Sequence, residues 1–199
     1  MSDAWILWDV KSLPGGDLEL DYNSYNQEAL GSILGSEIIA VEDVGVPVYR
    51  TRSHSSALKG RHVLPTFSGI VVDNKIKDAI EEQGLSAKDV QFCPVKIECR
   101  FDTVGGYYIL LIHRTVNCVN LESKGILSYS RYGGFIRIND ATYFEYFPGC
   151  LQDALIARDA CQPSQAIFAT PMKDKIASID RNIDFRLPKD ICAPGWACP

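Results

Sequence analysis

The sequence contains no C-x-x-C pair, no H-E-x-x-H, no G-x-G-x-x-G and no G-x-x-x-x-G-K-[ST]. The spacings that build zinc ribbons, thioredoxin-type and zinc-protease sites, dinucleotide folds and phosphate-cradling loops are therefore missing. The longest purely apolar run, Tyr107–Ile112, is six residues long, whereas a helix needs about 20 to cross a bilayer. Met1-Ser2-Asp3-Ala4-Trp5 has no basic stretch, and no small-residue cleavage site follows an apolar run, so a secretory signal is not expected. Bases are outnumbered, 20 against 25 acids, and the net charge of −5 argues against nucleic acid or an anionic membrane as the main partner.

With 46% hydrophobic and 23% charged residues, the 199-residue chain has the composition of a folded body. A chain of this length buries a core without a disulfide or metal staple. Seven cysteines, an odd number without an export signal, are expected to be reduced thiols in a cytoplasm.

Charge is unevenly placed. Residues 1–43 hold nine acids and one base, Lys11, and Arg50, Arg52, Lys59 and Arg61 follow without an acid. The acids, Asp17, Glu19 and Asp21 among them, read either as a solvated face or as a surface that steers a basic partner. The polar, aperiodic stretch 51–62 marks a boundary between an acidic part, 1–62, and a main body, 63–199.

The expected fold class is α+β: a mainly antiparallel sheet carrying two related helix–strand units. Trp5–Trp8 reads as an opening strand and 14–16 as its turn. Residues 28–34 form a weak helical stretch, and 37–50 a hairpin across Gly45. Asp73 caps a helix from Asn74 to about Gln83, with Ile76, Ala79 and Ile80 as its apolar stripe and Gly84 as its stop. A strand follows from Val90 and places Val95, Ile97, Cys99 and Phe101 on one face, with a bulge or edge at Pro94. Tyr107–Val116, apolar on both faces, is a central strand. Further strands are expected at 126–129, 135–138 and 142–147. Ile70–Phe92 recurs as Ile167–Phe185: an apolar approach, a capping Asp73 or Thr170, a striped helix and an apolar-x-Phe triplet. In the second copy Pro171 takes the first helical position, and Met172, Ile176 and Ile179 make the stripe. Both units are expected on one shared sheet.

Chemistry is sparse. His54 and His62 lie in the polar loop at a spacing without a metal motif, and His113 shares a strand face with Ile109 and Leu111. Cys118 and His113 are the least poor candidates for a nucleophile and base, but an extended chain separates them by about 17 Å. No catalytic residue, cofactor or metal ligand is assigned. Ser128–Phe135 mixes Tyr, Ser, Gly and Arg, the residues of adaptable contact surfaces, and reads equally as an ordinary hairpin turning at residues 133–134. Tyr129, Arg131 and Tyr132 are its candidate contacts. The cysteines of the terminal stretch 192–199 pair only in an oxidising setting.

Val90-Gln91-Phe92-Cys93-Pro94-Val95, then Tyr107-Tyr108-Ile109-Leu110, then Asn117-Cys118-Val119-Asn120-Leu121-Glu122-Ser123 resemble the myxobacterial-type immunity proteins of bacterial polymorphic toxin systems. The likeness runs over residues 66–188 and leaves the acidic N-terminal part unmatched. Asn117 and Asn120 stand where that family carries acids. The resemblance implies a cytoplasmic antitoxin that binds and blocks a cognate effector toxin and has no catalysis of its own. The alternatives are a small cysteine- or histidine-dependent hydrolase or transferase and a non-catalytic ligand-binding domain. A toxin with a basic active-site cleft would suit the acidic part.

Overall fold

The β-branched and aromatic runs become thirteen strands among the described residues. The computed structural model describes residues 3–27, 40–66, 69–132, 135–161 and 165–191. The chain gathers into two compact units built from separated stretches. One holds Met1–Trp8, Arg114–Asp174 and Phe185–Pro199, and the other Asp9–His113 and Lys175–Asp184. The boundary expected at 62/63 falls inside the second.

The second unit contains a six-stranded sheet of β2 (Glu19–Leu20), β3 (Val48–Arg50), β4 (Val63–Leu64), β5 (Val71–Asp73), β6 (Val90–Glu98) and β7 (Thr103–Ile112), ordered β2-β3-β6-β7-β5-β4. The expected central strand is β7, paired with β6 and β5 and buried from Ile109 to Ile112. Val71, Ile109 and Cys93 lie side by side in register and line one core with Tyr49, Val95, Ile97 and Leu111. Helix α1 (Asn74–Glu81) packs on β5 and β7. Asp73 accepts N–H bonds from Lys75 and Ile76 as its cap, and Ile76, Ala79 and Ile80 are buried as the stripe requires. Gly84, at φ +71°, turns the chain out of the helix.

A five-stranded sheet is made by β1 (Ala4–Val10), β8 (Thr115–Val116), β11 (Ile156–Asp159), β12 (Ala166–Ala169) and β13 (Ile183–Arg186), ordered β13-β1-β12-β11-β8. β12 is buried along its whole length and leads into α2 (Thr170–Ile179), where Met172 and Ile176 are buried and Ile179 is half-buried. A separate ribbon pairs β9 (Ile126–Tyr132) with β10 (Phe135–Ala141).

The fold is broadly α+β, mostly sheet with two helices among the described residues, and several expectations change. The sheets are mixed rather than antiparallel, because β3 runs parallel to β6 and β11 parallel to β8. The segments 70–92 and 167–185 each contain a helix, but their strands belong to different sheets, not a shared one. No hairpin forms over residues 40–50. Residues 41–44 make a single 3-10 turn that Gly45 ends at φ +80°, and β3 then enters the sheet beside β6, where the Lys96 N–H donates to the Pro47 carbonyl. The helical stretch at 28–34 and the start of that hairpin lie outside the described residues. The register shift in β6 falls between Val95 and Ile97, just past Pro94. β6 stops at Glu98, so Phe101 leaves the core face and stands 75% exposed. Residues 142–147 form no strand; Tyr146 makes an isolated bridge to Val119.

A buried aspartate braces each unit in the same way. Asp180, 1% exposed, takes the N–H groups of His62 and Val63 on Oδ2, and those of the Asn182 backbone and side chain on Oδ1. Asp159, fully buried, takes the N–H groups of Cys118 and Val119 on Oδ2 and that of Cys161 on Oδ1. Each carboxylate thus holds two successive amides of a distant segment together with the amide two residues beyond itself. Burial pushes the Asp180 carboxyl up, but the donated bonds from Val63, Asn182 and His62 outweigh it and hold the group below the ordinary carboxylate value.

A carboxyl depressed by folding contributes stability that is complete above its unfolded value, near pH 4, and is lost as the pH falls through its folded one. The Asp180→Ala variant therefore loses about 3 kcal/mol at neutral pH and has a shallower acid limb than the parent chain in urea melts between pH 2 and 7. Ile80→Asp and Ile176→Asp each place an unpaired charge at a buried stripe position and cost about 4 kcal/mol. Unchanged thermal melting in either variant would contradict this reading of the helices.

Candidate functional site

The β9–β10 ribbon is the best-formed candidate surface. Its ladder runs from Tyr132 opposite Phe135 to Ile126 opposite Ala141, with register shifts on either side of Asp140. The expected turn at 133–134 lies outside the described residues. At the base, Ile138 and Ala141 are buried with Val119 and Phe144. From Leu127 to Arg131, β9 is exposed at every residue, so both faces of the strand meet solvent. Leu127 and Tyr129 are among the most exposed large apolar side chains, and the Arg131 guanidinium lies 5.9 Å from the Tyr129 ring centroid. Ser130 donates to Asn139 across the ribbon. The Tyr/Ser/Arg composition thus falls on an exposed strand whose aromatic and cationic groups already pair. Tyr132 closes the ladder.

Asp17, Glu19 and Asp21 lie around β2 and are not a uniform acidic face. Asp17 and Glu19 line a cleft of about 590 Å³ together with Arg50 and Arg52. The Asp17 carboxylate accepts the Leu13 N–H. Asp21, its side chain 15% exposed, is 2.8 Å from Arg50, whose Nε also donates to Glu98 at 2.9 Å. Of the three, Glu19 is the exposed one. The basic stretch that follows in sequence folds back over the acids, because β2 and β3 pair antiparallel with Glu19 opposite Arg50.

The cysteine–histidine candidates do not form a dyad. Cys118 is joined to Cys150 in a disulfide, with Cα atoms 4.9 Å apart, so its sulfur is no thiolate nucleophile. This also corrects the expectation that the thiols are all reduced. The approach is set by the backbone: the Phe147 N–H donates to the Cys118 carbonyl, and the Cys150 N–H to that of Phe147. His113, buried, pairs through Nε2 with the Gln91 amide oxygen at 2.8 Å. Burial pushes the thiols of Cys93 and Cys161 up to about 11, Asp159 adding to the effect at Cys161, so both are protonated and poor nucleophiles at neutral pH. Cys192 and Cys198 lie outside the described residues.

One pair escaped the sequence reading. His62 Nδ1 is 2.7 Å from Asp73 Oδ2, while Asp73 Oδ1 caps α1. The carboxylate fixes the ring as an orienting acid fixes a general base. Among the described residues no hydroxyl or thiol bonds that ring, so the arrangement is half of a triad. The capping role of Asp73 was readable, but the return of the chain at β4, which sets His62 beside it, was not. Phe101 was missed for the opposite reason, being counted as core. It stands at a tight turn closed by a bond from the Cys99 N–H to the Asp102 carbonyl, with the His54 ring 5.2 Å and the Arg100 guanidinium 5.0 Å from its own ring.

Among the described residues no group of three or more His, Cys, Asp or Glu side chains is placed to hold a metal ion, and no helix is long and apolar enough to cross a membrane. No family model matches the chain, and no curated protein is significantly similar to it.

Loss of the disulfide is expected to matter. Cys118 and Cys150 close a loop with a sequence separation of 32, for which loop entropy alone gives roughly 3–4 kcal/mol. Cys118→Ala with Cys150→Ala therefore melts well below the parent under non-reducing conditions, and adding dithiothreitol lowers the parent toward the variant while leaving the variant unmoved.

Proposed function

We propose that this protein is an immunity protein of a bacterial polymorphic toxin system, which neutralises a cognate effector toxin by stoichiometric binding. The observation that supports the reading best is the β9 surface, an exposed Tyr/Ser/Arg strand raised on a buried base, with Tyr129 and Arg131 stacked. Interfaces are anchored by aromatic and arginine side chains held in place before contact, since little conformational entropy is then lost on binding. The segments 70–92 and 167–185 are read as two related helix–strand units, the first entering its helix at the capping Asp73. Toxin selection falls to the segments outside the family likeness, with Glu19 as the exposed acid that a basic cleft would meet.

The toxin's target places the inhibitor in the cytoplasm in this reading. The Cys118–Cys150 bond favours a second placement, an oxidising compartment such as a bacterial periplasm, because a cytoplasm keeps such pairs reduced. Alkylating free thiols in intact cells before lysis separates the two: a cytoplasmic chain is labelled at Cys118 and Cys150, a periplasmic one is not.

The test of function is growth of cells expressing the toxin encoded by the adjacent gene, with and without this chain, and surface plasmon resonance between the two proteins. Protection is expected, with Tyr129→Ala raising the off-rate about tenfold or more and Glu19→Gln lowering the on-rate and its salt dependence. Asp21→Asn is the poorer probe, because it also releases Arg50. Absence of binding at micromolar toxin would sink the proposal.

A further inference from the structure

We propose that the cleft between the 3-10 turn 41–44, helix α1 and strand β6 binds a small organic cation, an ammonium group carried on an apolar body such as an alkyl chain. The cleft lies wholly within the second unit and shares no residue with the β9 ribbon or with the acids around β2. Its occupancy does not depend on whether the chain binds a toxin.

The cleft encloses about 570 Å³, a volume in the range of small-molecule sites. Its walls are largely apolar. Val41 and Val46 stand on either side of the 3-10 turn's end, Leu85 follows α1, and Val90, Phe92 and Pro94 come from β6. Val46, 42% exposed, and Pro94 still face water. An apolar body laid against them removes that surface from solvent, which is the driving force for occupancy.

Charge then selects the head group. Three charged side chains line the cleft: Glu42, Lys77 and Glu81. Lys77 Nζ donates to Glu81 Oε2 at 2.8 Å, one turn along α1, and lies 5.7 Å and 5.6 Å from the ring centroids of Phe92 and Tyr108. A carboxylate and two rings thus already satisfy this ammonium, and the pair adds no net charge. Glu42 has no such partner, since among the described residues no cation pairs with its carboxylate and no hydrogen bond reaches it. One uncompensated carboxylate therefore stands beside the apolar walls. An anion placed there meets Glu42 and finds no free cation, a neutral molecule gains only the walls, and an apolar cation gains both.

Titration of the full nitrogen-labelled chain with hexylamine, hexanol and hexanoate, followed by heteronuclear NMR, tests this, because the three probes share a body and differ in the head. Hexylamine is expected to saturate at about millimolar concentration and to shift the amides of Val46, Ala87 and Phe92. It binds about fivefold more tightly than hexanol, as an exposed ion pair allows, and hexanoate binds weakest. Glu42→Gln removes the preference for the amine and leaves hexanol unchanged. Val46→Ser weakens hexylamine and hexanol alike. Lys77→Met keeps an apolar stem beside Phe92 but releases Glu81, and so tightens hexylamine. Glu42 and Val46 are exposed, and circular dichroism checks that their variants stay folded. Hexylamine that produces no saturable shift of the cleft amides overturns the proposal, as does hexanoate binding as tightly as the amine, or a preference that survives Glu42→Gln.

Discussion

A carboxylate removed from water and surrounded by backbone amides is the interaction on which both units rest. Burying an aspartate is costly unless its charge is met by donors, and Asp159 and Asp180 are each met by amides from two places in the chain. The benefit falls where the sheets are weakest. β4 and β8 are two residues long, too short for their ladders alone to fix the segments that hold them. Asp180 grips the amide of Val63 at the start of β4, and Asp159 grips the chain just beyond β8. The same carboxylates fix the turns that follow them, so one side chain positions two stretches of backbone at once.

The surface follows a different logic. Asp21 is paired with Arg50, and Asp17 and Glu19 share a cleft with Arg50 and Arg52, so these three acids do not form a uniform acidic face. What remains distinctive outside is aromatic: Tyr129 with Arg131 on the ribbon, and Phe101 between His54 and Arg100 at the β6–β7 turn. In both places an exposed ring is held by a neighbouring cation, which limits its rotamers without covering its face. Both rings thus stay open to solvent, while the buried cysteines and His113 serve the interior.

Local signals were the legible ones. The Asp73 cap, the Ile76–Ile80 stripe, the Gly84 stop and the buried β7 depend on residues a few positions apart, and period and capping chemistry report them directly. The parallel entry of β3, the Cys118–Cys150 bond and the two carboxylate clamps depend on partners tens of residues away, which no periodicity encodes. Asp159 and Asp180 look in sequence like any polar residue near a turn. The ribbon was legible as exposed by composition, because Tyr, Ser and Arg together do not suit a core. Its length was not, since β9 and β10 continue past the residues whose alternation is clear. Phe101 misled because a β-period was extended through Cys99, where the chain had already begun to turn.

The interleaving of the two units along the chain dictates the order in which a ribosome can let them close. β1 is made well before its ladder partner β12, with Ala4 opposite Ala169. The amides of His62 and Val63 likewise wait for Asp180. Neither unit can complete its bonding until β12 and Asp180 have been made. Each unit therefore closes only after the stretches between its distant partners have been made, and the nascent β1, with its apolar Trp5 and Ile6, stays unpaired on that side until β12 emerges.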